Sequence, residues 1–332
     1  MRAVAGGRWI AAAMTCVAVA VASAVYQDRA ERRDRREYPP PGRLVPAGGT
    51  LIHVLEAGPY TAPAVVVIPE LSGNVLAWIT VQEKLATDTH VVVYDRAGCG
   101  FSGPLPSGRR TFSTMAAELH EALAAAGVAP PYVLVGHSFG GIIARRYAIM
   151  CPEDIAGMVL VESSHEHQAT RMIREGPLTW GVVSTARAAV RLRLRVLGAR
   201  RLATAVGLGT VDAGLASSYE PRFADAARMI ASSSRTRRAT VRELMLLTRN
   251  QKLPPPDLGD MPLTVLTAAD RNSTWLQLQG ELAQLSSTGR HVVAETGGHR
   301  LQHDNPDIVV TEIRALQNHL RVRQEVPRRK GE

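Results

Sequence analysis

Little in this chain can be cross-linked or can hold a metal. Its three cysteines in 332 residues, Cys16, Cys99 and Cys151, cannot form a disulfide framework. Nothing has metal-ligand spacing, so no structural zinc is expected. Lysine is almost missing as well: Lys84, Lys252 and Lys330 are the only three, and arginine carries nearly all of the formal charge of +9. Aromatic residues make up only 5%. They do not interleave with the basic residues, and no nucleic-acid motif is present, so nucleic-acid binding is not expected. The positive charge concentrates in the N-terminal flank, a middle insertion and the tail Arg328-Arg329-Lys330, which points toward a membrane surface. Internal repeats and long low-complexity segments are lacking, so the chain is not a repeat array. What remains is ample: 45% hydrophobic residues can fill the core of one large domain or two small ones.

The longest uncharged apolar run is Trp9 to Tyr26, preceded by Arg2 and Arg8. It is near the lower limit for a membrane-spanning helix and longer than a usual signal-peptide core. Ala22-Ser23-Ala24 offers a cleavage site, so a secreted protein is the alternative. The charged flank Gln27 to Glu37, with arginines at 29, 32, 33, 35 and 36, favours an uncleaved anchor. Residues 1–37 are therefore expected to form an anchor plus flank, with membrane contact through the N-terminal helix. Tyr38-Pro39-Pro40-Pro41-Gly42 then reads as a stiff linker.

From there the pattern alternates. Arg43 to Glu56 reads as two short strands around Gly48-Gly49. Ala64 to Ile68, His90 to Tyr94, Tyr132 to Val135 and Gly157 to Val161 read as buried strands. Helices are expected over Asn74 to Ala86, Met115 to Gly127 and Ile142 to Tyr147, the last with Arg145 and Arg146 facing out. Unbroken apolar strands separated by helices predict a mostly parallel sheet covered on both faces, an α/β fold. The alternation stops between about Ser164 and Pro256. Helical patterns there cover Ala186 to Val206, Pro221 to Ser232 and Ala239 to Arg249, so 164–258 is expected to be a helical cap or lid. Its arginines at 187, 191, 193, 195, 200 and 201 suit either a solvated lid face or a helix lying on a membrane. Strands resume at Leu263 to Thr267 and His291 to Ala294, followed by a helix from Pro306 to Leu320. The expected organisation is core over 38–163 and 259–322, interrupted by the cap and followed by a basic tail over 323–332.

The stretch Pro131 to Tyr147 carries the chemistry. Gly136-His137-Ser138-Phe139-Gly140 fits G-x-S-x-G between a strand and a helix, the setting that holds a serine hydroxyl above a sheet. The serine needs a base and a carboxylate to orient that base. Loops at the carboxyl ends of later strands supply both. Asp270, after Leu263 to Thr267, is the expected acid, with Glu162 after Gly157 to Val161 as its alternative. His299, after Gly297-Gly298, is the expected base, with His303, His165 and His167 as competitors. His303 and Asp304 read as structural, with Asp304 capping the last helix. The order Ser138…Asp270…His299 is nucleophile, acid, histidine.

On these residues, from about Tyr38 to Leu320, the sequence resembles the α/β-hydrolase superfamily in its Ser-nucleophile branch. It is similar to often membrane-anchored bacterial members that begin Y-P-P-P-G-x-L-V. Further matching motifs are Tyr94 to Ser102, Val159 to Gln168, Thr267 to Asn272 and Gly297 to Asp307. The resemblance implies an eight-stranded sheet, a cap between strands six and seven, no cofactor, and Asp95 and Arg96 as loop stabilisers. Leu71 and Phe139 would offer backbone N–H groups to the oxyanion. Glu70 departs from the family pattern, standing where a glycine is customary, and a carboxylate turned inward there would repel the oxyanion. The expected activity is cleavage of carboxylic esters, of an apolar acyl chain or small alcohol, through an acyl-enzyme on Ser138. Alternatives are acyl transfer, perhydrolysis or lyase chemistry on the same triad, or an impaired membrane-tethered binding protein.

Overall fold

The computed structural model describes residues 2–168, 170–171, 219–249 and 254–325. The expected helix Ala186 to Val206, its arginine series and the tail Arg328-Arg329-Lys330 lie outside these residues. The chain divides into two compact units, Met1–Pro39 with Leu178–Arg238, and Pro40–Pro177 with Ala239–Glu332.

The first unit contains helix α1, Arg2–Glu37. The charged flank expected to follow an anchor is the second half of this same helix. Its polar residues have partners: Gln27 donates to Glu31 at 2.8 Å and to the Ser232 carbonyl at 3.0 Å, and Glu31 accepts the Ser234 N–H at 2.7 Å. Gln27, Glu31 and Asp34 are buried. A helix with a buried polar face continuing from the apolar run differs from the expected membrane anchor followed by a charged flank. Among the described residues no helix is long and apolar enough to cross a membrane.

The second unit is built on one eight-stranded sheet. Strands β1 (Arg43–Ala47) and β2 (Thr50–Ala57) form the expected hairpin. They are followed by β3 (Ala64–Ile68), helix α2 (Ile79–Leu85), β4 (Val91–Asp95), α3 (Phe112–Ala125), β5 (Tyr132–His137), α4 (Phe139–Met150) and β6 (Ile155–Val161). Within the insertion lie α5 (Ala224–Ser232), which belongs to the first unit, and α6 (Ser234–Arg249), which belongs to the first unit up to Arg238 and to the second from Ala239. Then β7 (Leu263–Ala268), α7 (Ser273–Ala283), β8 (Arg290–Ala294), α8 (Leu301–Asp304) and α9 (Pro306–Glu325) close the chain. The spatial order is β1-β2-β4-β3-β5-β6-β7-β8, with β1 and β2 antiparallel and every pair from β4 through β8 parallel.

The central strands form for the reason their composition suggests. Every side chain of β3, β4 and β5 is buried, and β-branched residues covered on both faces suit interior parallel strands. Burying each Val or Ile contributes about 1.5–3 kcal/mol. Helix α3 starts with a reciprocal cap between Thr111 and Thr114 and stops before Gly127, whose φ of +71° continues the chain where a side chain would be strained.

Two local expectations change. Arg145 does not face solvent: it is fully buried, donating to Ser163 Oγ at 3.0 Å, the Ser164 carbonyl at 2.8 Å and Glu166 at 2.9 Å. The loop after β6 is thus fastened by a buried ion pair that helical periodicity could not indicate. Asp304 does not cap α9; Asn305 does, accepting the Ile308 N–H at 3.3 Å, while Asp304 accepts the Gly298 N–H at 3.1 Å.

Candidate active site

Ser138 sits between β5 and α4 with φ +49° and ψ −117°, and it is nearly buried. A non-glycine residue held at positive φ stores about 1–3 kcal/mol of strain. The turn tolerates only small neighbours. A Cβ on Gly136 would lie 2.6 Å from Gly141 Cα, and one on Gly140 would lie 2.0 Å from the Ile68 carbonyl oxygen. Backbone bonds pin the serine: its N–H donates to the Val161 carbonyl at 3.1 Å, and its carbonyl accepts from Gly141 and Ser164. The adjoining Phe139 N–H opens α4, in the first turn where amides have no intrahelical acceptor.

His299, in the loop after β8, meets the serine. Its Nε2 is 3.1 Å from Ser138 Oγ. Its Nδ1 is 3.0 Å from a carboxylate oxygen, and that oxygen belongs to Glu162. The carboxylate that meets the imidazole is therefore Glu162 and not the expected Asp270. Asp270 is exposed in the turn after β7, beside Gly298, and Glu162 is fully buried one residue past β6. The reason is local backbone geometry. Glu162 adopts φ +44°, which turns its side chain inward toward the end of β7. There Oε1 accepts the Ala268 N–H at 2.9 Å, and Arg271 Nε lies 3.1 Å from Oε2 as an ion-pair partner. Thus Asp270 lies next to the arginine that neutralises the acid. Trp275 packs edge-on against the His299 ring at 5.9 Å, and the Arg271 guanidinium lies over Trp275 at 5.1 Å.

The competing histidines are elsewhere. Burial pushes His165 down to about 4 despite the nearby Glu166, and its Nδ1 accepts the His167 N–H at 2.9 Å. Burial also lowers His303, partly offset by Glu70.

The loop after β3 contains Leu71, which is half-buried, and Glu70. Arg96 shapes it, donating to the Pro69 and Glu70 carbonyls at 2.6 Å each while pairing with Glu243 of α6 at 2.7 and 3.0 Å. Asp95 accepts the Val75 and Phe101 N–H groups at 2.9 Å and faces His53 at 2.9 Å. Both residues bond the backbone of neighbouring loops. The Glu70 carboxylate turns toward His137, its Oε2 3.1 Å from His137 Nδ1. Burial would raise its pKa, yet the hydrogen bond and charge of His137 bring it down to about 2.

One group of potential metal ligands converges among the described residues, His120, Cys151 and Asp154. The Tyr147 hydroxyl, 3.1 Å from both His120 Nδ1 and Asp154 Oδ2, already links two of them.

Residues 63–306 match the alpha/beta hydrolase fold family. The chain belongs to that family. This hydrolase is 26% identical over 269 residues to an AB hydrolase superfamily protein of Gibberella zeae, covering 72% of this chain and 81% of that one. It is 39% identical over 111 residues to RutD of Cronobacter sakazakii, a match spanning 33% of this chain and 41% of that relative. Its fold is similar to that of a thermophilic esterase from Thermogutta terrifontis, with a TM-score of 0.62 at 19% identity, covering 84% of this chain and 98% of the esterase.

Proposed function

We propose that this hydrolase cleaves carboxylic esters or related acyl bonds through a Ser138–His299–Glu162 triad. The observation that carries the reading is the pair of contacts at His299: Nε2 at 3.1 Å from the Ser138 hydroxyl and Nδ1 at 3.0 Å from buried Glu162. A carboxylate that can only accept fixes the proton on Nδ1 and leaves Nε2 to take the serine proton. His299 then acts as general base while Ser138 Oγ attacks the acyl carbon. The resulting imidazolium lies against Glu162, whose charge Arg271 partly balances. His299 returns the proton to the leaving alcohol, and water activated by the same ring releases the acyl group. The Phe139 N–H, with that of Leu71, supplies the donors for the developing oxyanion, each worth on the order of a hundredfold or more in rate.

The chemistry of esters is favoured because the triad supplies a nucleophile and a single proton shuttle, which acyl transfer to water requires. The reading of a binding protein impaired by Glu70 loses its motive, since that carboxylate is engaged by His137. A fluorophosphonate probe tests the proposal. Wild type should be labelled and Ser138→Ala should not; equal labelling of both, or no labelling of folded wild type, would overturn it. A series of p-nitrophenyl esters of increasing chain length then defines the acyl preference.

A further inference from the structure

We propose that His137, the residue before the nucleophile, is held as an imidazolium by Glu70, and that this buried ion pair positions the loop bearing the catalytic histidine. The inference deepens the serine-hydrolase reading and rests on it for the role of His299. His137 is fully buried. Its Nδ1 is 3.1 Å from Glu70 Oε2 and its Nε2 is 2.8 Å from the main-chain carbonyl oxygen of His299. A carbonyl oxygen only accepts hydrogen bonds, and so does an ionised carboxylate. Both contacts are satisfied together only when each ring nitrogen carries a proton.

Protonating Glu70 instead fits less well. The Trp78 indole N–H approaches the same Oε2 at 3.4 Å, so that oxygen already faces a second donor. The surrounding charges are otherwise engaged or distributed. Arg96 is paired with Glu243 and gives its remaining donors to the Pro69 and Glu70 carbonyls. His303 of α8 lies within electrostatic reach of both Glu70 and His137, with Arg300 and Asp304 acting on His303 in turn, and the His299 ring centroid is 5.2 Å from that of His137. Trp78 meets the His137 ring edge-on at 5.8 Å.

One imidazolium therefore joins three segments: the loop after β3 through Glu70, the nucleophile turn through its own backbone, and the loop after β8 through the His299 carbonyl. The two ends of His299 have separate supports. Glu162 orients the ring, and His137 fixes the main chain from which the ring projects. This also accounts for Glu70 at a position where a carboxylate would otherwise repel a developing oxyanion: a neutralised pair presents no net charge.

The decisive variant is Glu70→Gln. A glutamine can donate an amide N–H to Nδ1 of a neutral ring whose Nε2–H still bonds the His299 carbonyl, so the tether survives and the charge is lost. Side-chain nitrogen NMR on the full chain at pH 7.5 should show the His137 imidazole with both nitrogens protonated in wild type, distinct from any such signal of His53, which lies between Asp95 and the Pro41 carbonyl and should be unchanged in every variant. In Glu70→Gln the His137 signal should become a neutral Nε2–H ring, and in His137→Leu it should disappear. Removing the tether in His137→Leu, which offers no donor to the His299 carbonyl, should lower kcat about a hundredfold, as for an ångström-scale misplacement, while KM changes little. Absence of the doubly protonated ring from folded wild type, or its persistence in Glu70→Gln, would overturn the clamp. If fluorophosphonate labelling of wild type fails, the hydrolase reading fails separately, and the NMR result still decides the state of His137.

Discussion

Glu162→Gln is the most informative single change, because the surroundings dictate how the new amide must sit. Its oxygen has to take the place of Oε1, since the Ala268 N–H at 2.9 Å can only donate. The NH2 group is then left facing His299 Nδ1, 3.0 Å away, and the Arg271 guanidinium. An amide N–H pointing at Nδ1 makes that nitrogen an acceptor and puts the ring proton on Nε2, toward Ser138. The base is then protonated where it should be free. Wrong-tautomer substitutions of a triad acid cost on the order of ten-thousandfold in kcat, so the same order is expected here at neutral pH, about 5 kcal/mol of barrier. Asp270→Asn, an exposed side chain beside Gly298, should stay within a few-fold of wild type. Glu162→Asp should fall between them, because shortening the side chain by one carbon–carbon bond, about 1.5 Å, prevents the carboxylate from reaching the Ala268 N–H and His299 together. The assay is kcat and KM on a short-chain p-nitrophenyl ester, with thermal unfolding to confirm that each variant folds. A ten-thousandfold loss in Asp270→Asn with near-normal Glu162→Gln would refute the assignment of the acid.

Other regions make further predictions. Arg96→Met leaves Glu243, 1% exposed, as an uncompensated buried charge; unfolding in urea should show a loss of about 3–5 kcal/mol, and a loss below about 1 would mean the pair is not buried in solution. Gly140→Ala places a methyl group 2.0 Å from the Ile68 carbonyl oxygen. Backbone must shift to admit it, so stability should drop by about 1–3 kcal/mol or more, with labelling of Ser138 slowed. His165, whose folded pKa lies near 4 and below its ordinary 6.5, is neutral when folded. The unfolded chain takes up a proton first as pH falls, so this contribution is complete above about 6.5 and is lost progressively toward 4. The loss in that window should be at most about 3 kcal/mol, and His165→Gln should flatten it; an unchanged slope would exclude His165 as its source.

Most of the sheet was legible in the sequence because buried parallel strands are the simplest pattern to see. Ala64 to Ile68 is a strand over the same five residues, and the serine turn lies where its glycines require it. The choice between the two candidate carboxylates was not legible. Glu162 and Asp270 both follow strands that end at the same rim, and the deciding property is the positive φ at 162, which composition does not reveal in a glutamate. The arginine after Asp270 was the available sign, since its guanidinium needs a carboxylate partner. Arg145 was misread because a helix period locates a face but cannot say that Ser163, Ser164 and Glu166 return to cover it. Helix α7 was passed over because Ser273 to Ala283 mixes glutamines and a glycine among its apolar residues, although Asn272 caps it through the Trp275 N–H. The flank of α1 read only as charge beside an anchor because its partners, Ser232 and Ser234, lie some two hundred residues away.

In the sheet register His137 stands opposite Val161, so Ser138 and Glu162 each step off their strand at the same height, both through a left-handed residue. The backbones that carry alcohol and acid are thereby one strand spacing apart, about 4.8 Å, a dimension fixed by amide hydrogen bonds that no side-chain exchange alters. A carboxylate could be relocated from the sixth strand to the seventh, whose Leu266 stands opposite Val161, without disturbing the imidazole between them. The ladder acts as a ruler, and the reacting groups are marks on it.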